Sequence, residues 1–260
     1  MFMSNPFADA PAFITPAAMQ AYVLVMFILV VVGTIYDVLH KKSARFFLES
    51  LRKSKSQAIR EVGAGETVSL AIKTAVVDVA ASGEFCNLQR RIAHLLTMYG
   101  FLAFVISTVI MVFSYPTAAN PPAILPQLWH LGALMICIGG YWFWFFIRVD
   151  VSAEGSSPFR VMYADVFVLA LLASATFALL WSFLQAAGSA WGVVFFWLHI
   201  LSTTLLFGSV PWSKFAHMFF KPAAAYEKRL SEANGSRNNL PPPADVPAEF
   251  GSAKHHSRHY

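Results

Sequence analysis

Four histidines lie within or at the ends of strongly apolar segments: His94, His130, His199 and His217. Ionisable side chains are costly inside a bilayer and usually mark a functional site there. The topology derived below places His130 and His199 in the outer half of the membrane and His94 and His217 at its inner end. One imidazole from each of two facing helices is what a six-coordinate b-type haem requires. We therefore expect two haems, each held between two histidines, as an electron path across the membrane.

His199 and His217 are 18 residues apart on a helix that the sequence predicts to extend as far as His217. Eighteen residues make five whole turns and span roughly 27 Å, so both side chains would point to the same side of the helix. Arg91 and Lys214 lie beside the inner histidines and could meet the haem propionates. The alternative for these cations is the ordinary belt of positive charge at cytoplasmic helix ends. For the histidines, the alternative is a structural role in the core.

Long apolar segments carry these histidines. Of the 260 residues, 57% are hydrophobic and only 13% are charged, whereas soluble domains are about a quarter charged. A membrane-spanning helix needs ~20 mostly apolar residues. The sequence predicts an all-α integral membrane protein, a bundle of five transmembrane helices. The five segments are 17–39, 92–113, 128–147, 161–184 and 191–211.

The placement of Lys and Arg predicts the orientation, because short cytoplasmic loops hold an excess of these residues. Residues 1–40, 114–127 and 185–190 contain none, and all 19 Lys and Arg lie in the remaining segments. We therefore expect the N-terminus outside and the C-terminus in the cytoplasm, in a bacterial inner (cytoplasmic) membrane. The first basic residue, Lys41, follows the first apolar segment, so this segment does not have the charge pattern of a cleavable secretory signal.

Two segments are predicted to lie in the cytoplasm. The loop 40–91, within a membrane domain 1–222, holds ten of the 19 basic residues. Apolar residues recur in this loop at the spacing of one helix face, which could lie on the membrane, on a partner or on this protein's own surface. The tail 223–260 is rich in Pro, Asn, Ser and Gly and is predicted to be mostly disordered. The residues of the apolar face are Val68, Ile72, Val76 and Val79.

Other cofactors are limited by what the sequence contains. Two cysteines, Cys86 and Cys137, are too few for an iron–sulfur cluster, and there is no nucleotide-binding or flavin motif. A quinone would need an apolar cleft with one or two polar groups, and the sequence does not choose between the two sides of the membrane. The candidates are Tyr115, Gln127, Trp129 and His130 outside and Tyr99, Ser213 and Lys214 inside.

The segment PWSKFAHMFFKP, residues 211–222, together with the five-helix topology, resembles a family of membrane cytochrome b subunits. The family includes the gamma subunit of respiratory nitrate reductase, the membrane subunit of the quinone-interacting oxidoreductase of sulfate reducers, and the membrane anchor of adenylylsulfate (APS) reductase. The resemblance covers roughly residues 17–222. It implies two b haems, electron exchange with quinone, and a cytoplasmic redox enzyme as partner.

One position departs from the family pattern. The nitrate reductase subunit has two histidines ten residues apart on its second helix, whereas here His94 is followed ten residues later by Phe104. His130 is then the remaining candidate for the second ligand of the outer haem. The departure points to the sulfur-metabolism branch of the family, with adenylylsulfate reductase or a related enzyme as the expected partner.

The sequence thus predicts a di-haem b membrane anchor and electron-transfer subunit that links the quinone pool to a cytoplasmic redox enzyme. One alternative is a haem-free anchor that only docks a soluble oxidoreductase, and another is a gamma-type subunit of a nitrate-reductase-like complex. A small transporter is also possible in principle, although Asp165 is the only clear acidic residue inside a span. No nucleic-acid partner is expected, because the basic residues are confined to segments between apolar runs.

Overall fold

The computed structural model describes residues 3–40, 43–83, 85, 87–117, 121–148, 159, 161–212, 217–237 and 240, and of His217 it describes the backbone alone. Within this part of the chain all regular secondary structure is helical, which confirms the predicted all-α class. The chain divides into two compact units. The first comprises residues 1–41 and 82–217, and the second comprises residues 42–81 and 218–260.

Five helices are long and apolar enough to cross a membrane, so the prediction of a multi-pass membrane protein is confirmed at this level. They are α1, α4, α5, α6 and α7 of the following series. The helices in chain order are α1 (Pro16–His40), α2 (Ser43–Ser56), α3 (Ala64–Lys73, continued as a π-helix Thr74–Ala80), α4 (Leu88–Ser114), α5 (Ile124–Trp142, continued as a π-helix Phe143–Ile147), α6 (Val166–Ala186), α7 (Trp191–Gly208) and α8 (His217–Ala233).

Glycines allow α4 and α5 to pack with their backbones in contact. A Cβ atom added to Gly100 would lie 2.7 Å from the carbonyl oxygen of Gly132, and one added to Gly132 would lie 2.7 Å from that of Gly100. Farther along α5, a Cβ atom on Gly139 would lie 2.7 Å from the carbonyl oxygen of Ala93. Small residues commonly let membrane helices approach this closely. The α4–α5 pair therefore forms a rigid part of the first unit.

The segment before α1 belongs to the core of the first unit. Phe7 is only 2% exposed, and its ring packs edge-on against Trp129 and Trp181, with centroids 6.0 and 5.3 Å away. The side-chain amide of Asn5 donates a hydrogen bond of 2.9 Å to the carbonyl of Tyr115, just after α4. The N-terminal segment thus closes the end of the bundle at which α4 and α6 end and α5 and α7 begin.

The last span is shorter than the sequence predicts. Helix α7 ends at Gly208, and Ser209, with φ −85° and ψ 3°, has left the helical conformation. Pro211 has no N–H to donate, so the helical ladder cannot continue through it. His217 begins a separate helix, α8. The register of five whole turns, which would place His199 and His217 on one side of a single helix, therefore does not apply.

In the second unit, a helix replaces the first part of the predicted disordered tail. Helix α8 runs to Ala233, and Arg229 makes a two-pronged ion pair of 2.5 and 2.7 Å with Asp78 of the π-helix that follows α3. The predicted boundary between residues 222 and 223 falls inside α8. Residues 241–260, which hold the rest of the predicted tail, lie outside the described residues.

The predicted apolar face of the loop is exposed in the structure. Val68, Ile72 and Val76 are each more than half exposed, and Val79 is 36% exposed. This face lies on α3 and its π-helical continuation. This exposure agrees with contact with a membrane or a partner, and the choice among the three surroundings stays a prediction.

Candidate functional site

His199 lies inside the bundle, in the third turn of α7. The residue is only 4% exposed, and the indole of Trp181 stacks on its ring with centroids 6.1 Å apart. Its Nδ1 atom lies 3.0 Å from the carbonyl oxygen of Ser174 and 3.2 Å from the hydroxyl of the same residue. That hydroxyl is 2.7 Å from the hydroxyl of Thr203, one turn farther along α7. Helix α6 thus fixes the orientation of the ring.

These contacts determine which ring nitrogen of His199 carries the proton. A carbonyl oxygen only accepts, so Nδ1 must donate to Ser174, and the neutral ring then has its lone pair on Nε2. Histidines that bind metals usually have this arrangement, with one nitrogen donating to a carbonyl or carboxylate and the other facing the metal. His199 can therefore act either as a metal ligand or as an acceptor for a hydroxyl group.

A cavity of about 210 Å³ adjoins His199. Helices α1, α4, α6 and α7 form most of its wall, which is largely apolar. Apolar clefts with a few polar groups are typical of sites for small organic molecules, although drug-sized ligands usually occupy ~300–1,000 Å³. The polar side chains in the wall are those of Tyr22, Thr108, Ser174, His199 and Thr203.

His130 is fully buried in α5, and both of its ring nitrogens have hydrogen-bond partners. Nδ1 lies 2.7 Å from the carbonyl oxygen of Pro126, one turn earlier, and Nε2 lies 2.7 Å from the hydroxyl of Ser182 on α6. Because Nδ1 donates to the carbonyl, Nε2 accepts from Ser182. An iron atom could coordinate His130 only if the Ser182 hydroxyl moved away.

His130 and His199 contact the same helix, α6, at different levels. Their partners, Ser182 and Ser174, are eight residues apart, which is ~12 Å along a helix axis. A haem with two axial histidines needs both imidazoles on opposite sides of one iron. Among the described residues, the wall of the cavity includes His199 and not His130. In this arrangement, the two residues do not fit a haem held between them.

Phe104 occupies the position on α4 that faces His199. The two rings are perpendicular, at 89°, with centroids 6.0 Å apart. Phe104 is also the position at which the nitrate reductase subunit of the resembled family has a histidine. This phenyl ring lies directly beside His199, the buried histidine of the last span. A phenyl ring cannot coordinate iron.

At the other end of α4, His94 is held by a folded turn. Its Nδ1 atom lies 3.0 Å from the hydroxyl of Ser82, and the ring of Phe85 packs against it with centroids 4.9 Å apart. Ser82 has a φ of 50°, in the left-handed region, and is nearly inaccessible. Asn87 caps α4 by accepting from the backbone N–H of Arg90 at 3.1 Å. The turn thus positions His94 in the first turns of the helix.

The other inner residues are described only in part. Arg91 is half-buried and lies three residues before His94 on α4. His217 is the first residue of α8, and its side chain lies outside the described residues. Lys214 falls in the undescribed segment 213–216. A haem held by His94 and His217 therefore stays a prediction, as does the contact of Arg91 and Lys214 with its propionates.

Asp165, the acidic residue of the fourth predicted span, is paired. The guanidinium of Arg148, at the end of α5, forms an ion pair with its carboxylate, and both side chains are 11% exposed. The backbone N–H of Met162 also donates to this carboxylate at 2.9 Å. Arg148 lies over the ring of Trp144, 4.1 Å from its centroid. Asp165 thus joins the ends of α5 and α6, a structural role that gives a transporter no support.

Three serines that the sequence pattern does not single out position three of the candidate histidines. Ser82 holds His94, Ser174 holds His199 and Ser182 holds His130. Ser174 and Ser182 are two of the few polar residues in α6. Polar side chains within an apolar span commonly hydrogen-bond across helices, so their presence was a usable signal. Their partners were not predictable, because the sequence does not specify how the helices are rotated relative to one another.

Comparisons of the chain with protein-family models, with curated proteins and with solved structures found no match. The resemblance to membrane cytochrome b subunits therefore stays a prediction.

Proposed function

We propose that this chain is the membrane subunit of a quinone-linked oxidoreductase complex and passes electrons between the membrane quinone pool and a cytoplasmic redox enzyme. The observation that carries the proposal is His199, which is buried in an apolar bundle with Nδ1 held by a carbonyl and its ring at the wall of a cavity. Buried histidines inside a membrane usually belong to a functional site, as metal ligands or in proton transfer.

The cofactor proposed for the inner end is a b-type haem between His94 and His217, with Arg91 and Lys214 near its propionates. It is supported by the fixed orientation of His94, whose Nδ1 is held by Ser82, and by the resemblance of residues 211–222. Such a haem would supply one-electron transfer between quinone and the partner. A second haem, as the sequence predicts, would require His130 to leave Ser182.

The proposed orientation follows the distribution of basic residues, with the N-terminus outside and the C-terminus in the cytoplasm of a bacterial cell. The loop 40–91, with its ten basic residues, then faces the cytoplasm and offers a docking surface for an acidic enzyme. Adenylylsulfate reductase is the proposed partner. Working oxidatively, it would convert AMP and sulfite to adenylylsulfate, and the electrons would pass through this chain to quinone.

A haem-free anchor is the second candidate function. Two observations favour it over the di-haem prediction: Phe104 faces His199, and Ser182 occupies Nε2 of His130. Such a subunit would dock the soluble enzyme at the membrane without carrying electrons itself.

A reduced-minus-oxidised visible spectrum of the purified chain, with a pyridine haemochrome assay, tests these functions. One b haem per chain, lost in both His94→Ala and His217→Ala, is the expected result. Two haems per chain, with the second lost in both His130→Ala and His199→Ala, would support the full relay and contradict the arrangement described for the outer histidines. No haem, in protein produced with ample haem supply, would leave the passive anchor as the function.

A further inference from the structure

We infer that the cavity beside His199 binds the head group of a membrane quinol. The inference rests on the proposed function, because it identifies where the chain would bind a molecule of the quinone pool. This site differs from every quinone candidate of the sequence analysis, since none of those residues lines the cavity.

The polar groups of the cavity match the reduced form of the ligand. A quinol presents hydroxyl groups, which can donate, whereas a quinone presents only carbonyl acceptors. Nε2 of His199 is an acceptor, because Nδ1 donates to Ser174. The hydroxyl of Tyr22 lies 3.0 Å from the carbonyl of Ile200 and 3.1 Å from the hydroxyl of Thr204. Its proton is directed to these neighbours, so its oxygen is a second acceptor in the wall.

The size and lining of the cavity suit a single substituted ring. Its volume of about 210 Å³ is below the ~300–1,000 Å³ of sites for drug-sized ligands, and in its wall Phe104 packs edge-on against His199. A tetrapyrrole would need a larger cavity than this. Phe27, in the middle of α1, lines the cavity and is 49% exposed on the surface of the bundle. An isoprenoid tail can leave past this residue into the lipid.

A half-buried hydroxyl one turn from His199 provides a conservative test. Thr203 lines the cavity and is hydrogen-bonded to Ser174. Thr203→Val removes the hydroxyl with little change in shape. Thr176→Val is the matched control, since Thr176 lies on α6, is hydrogen-bonded to Tyr141 at 2.9 Å and does not line the cavity. His199→Leu removes the proposed acceptor itself.

The experiment measures binding of decylubiquinone to the full-length chain in lipid nanodiscs by quenching of tryptophan fluorescence, because Trp181 stacks on His199. Decylubiquinol is then added as a competitor, and haem per chain is measured in each sample. We expect saturable binding, with the quinol competing more strongly than further quinone. Thr203→Val should weaken quinol binding roughly 3- to 10-fold, because it removes the hydrogen bond to Ser174, the residue that orients the ring of His199. His199→Leu should weaken it further, and Thr176→Val should leave it unchanged.

Five outcomes would overturn the inference. Equal binding in wild type, Thr203→Val and His199→Leu would place the probe elsewhere. Equal competition by decanol, which has no ring, would identify an acyl-chain groove. A second haem that disappears in His199→Leu would make the cavity a haem site and leave the proposed function intact. One haem without quinol binding would contradict the inference and leave the proposed function intact. The absence of both haem and quinol binding would contradict the proposed function as well.

Discussion

Ser174 and Ser182 decide what the two buried histidines can do. The carbonyl of Ser174 directs the proton of His199 to Nδ1, whereas the hydroxyl of Ser182 occupies Nε2 of His130. Two histidines of similar burial, which the sequence treats as a pair, therefore differ in chemistry. His199 has an unprotonated Nε2 and lines a cavity, whereas His130 joins α5 to α6.

His130→Ala tests this difference at the level of one residue. It leaves the buried Ser182 hydroxyl without its partner, so we expect a loss of about 1–3 kcal/mol in stability, measured as thermal unfolding in detergent. The haem content should not change, because Nε2 of His130 is already bonded. Loss of one haem per chain, with the melting temperature preserved, would show that His130 is a ligand after all.

The pair of Arg148 and Asp165 gives a second residue-scale prediction. Asp165→Asn leaves a largely buried guanidinium without its counter-charge, so we expect destabilisation of about 3 kcal/mol. Proteolysis within residues 149–160 should accelerate with it. The double change Arg148→Met with Asp165→Leu should recover much of the stability, because no unpaired charge remains. A double variant as unstable as Asp165→Asn would contradict this account.

Among the elements, the α4–α5 contact depends on glycine. A Cβ atom on residue 132 would already lie 2.7 Å from backbone atoms of Gly100 and Phe104, and Gly132→Leu would add a larger side chain there. Overpacking of this kind costs about 1–3 kcal/mol or more, so the yield of folded protein on size exclusion should fall. Gly208→Ala is the control, because a Cβ atom there meets no neighbour within 4 Å. Equal yields of both variants would mean that the contact adds little to stability.

Helix α8 provides an element-scale prediction outside the membrane. Arg229→Ala removes the ion pair that joins α8 to Asp78. We expect trypsin to cut within α8 faster than in the wild type, with the membrane helices unaffected. Lys228→Ala is the comparison, because it removes a neighbouring charge without breaking this pair. The same cleavage rate in wild type and Arg229→Ala would contradict the role of the ion pair.

The sequence predicts the spans well because an apolar run of this length has few other uses, and each of the five predicted segments overlaps a membrane-length helix. It predicts their ends poorly, since these depend on local features such as Pro211 and the cap at Asn87. The prediction for the tail did not anticipate α8, because Pro, Asn and Gly farther along dominate the composition of the tail, whereas residues 223–233 are good helix formers. The rotation of each helix, which pairs His130 with Ser182, depends on packing that hydropathy does not encode.

For the whole molecule, the orientation can be measured by cysteine labelling. In a chain with Cys86→Ser and Cys137→Ser, we expect Ser4→Cys to react with a membrane-impermeant maleimide in intact spheroplasts. Ala253→Cys should react only after the membrane is opened. The physical reason is the positive-inside rule, since residues 1–40 contain no Lys or Arg. The reverse pattern would invert the proposed topology and place the docking loop on the wrong side for a cytoplasmic partner.

The exposed position of Phe27 at the cavity indicates the route by which a ligand would enter it. Because this residue lies exposed near the middle of α1, a helix of membrane-spanning length, the cavity would open toward the hydrocarbon core of the bilayer. An occupant must first dissolve in the bilayer and then diffuse sideways in two dimensions. Occupancy will therefore follow the mole fraction of the ligand among the lipids, so diluting the lipid with detergent would empty the cavity even while the aqueous concentration stays constant.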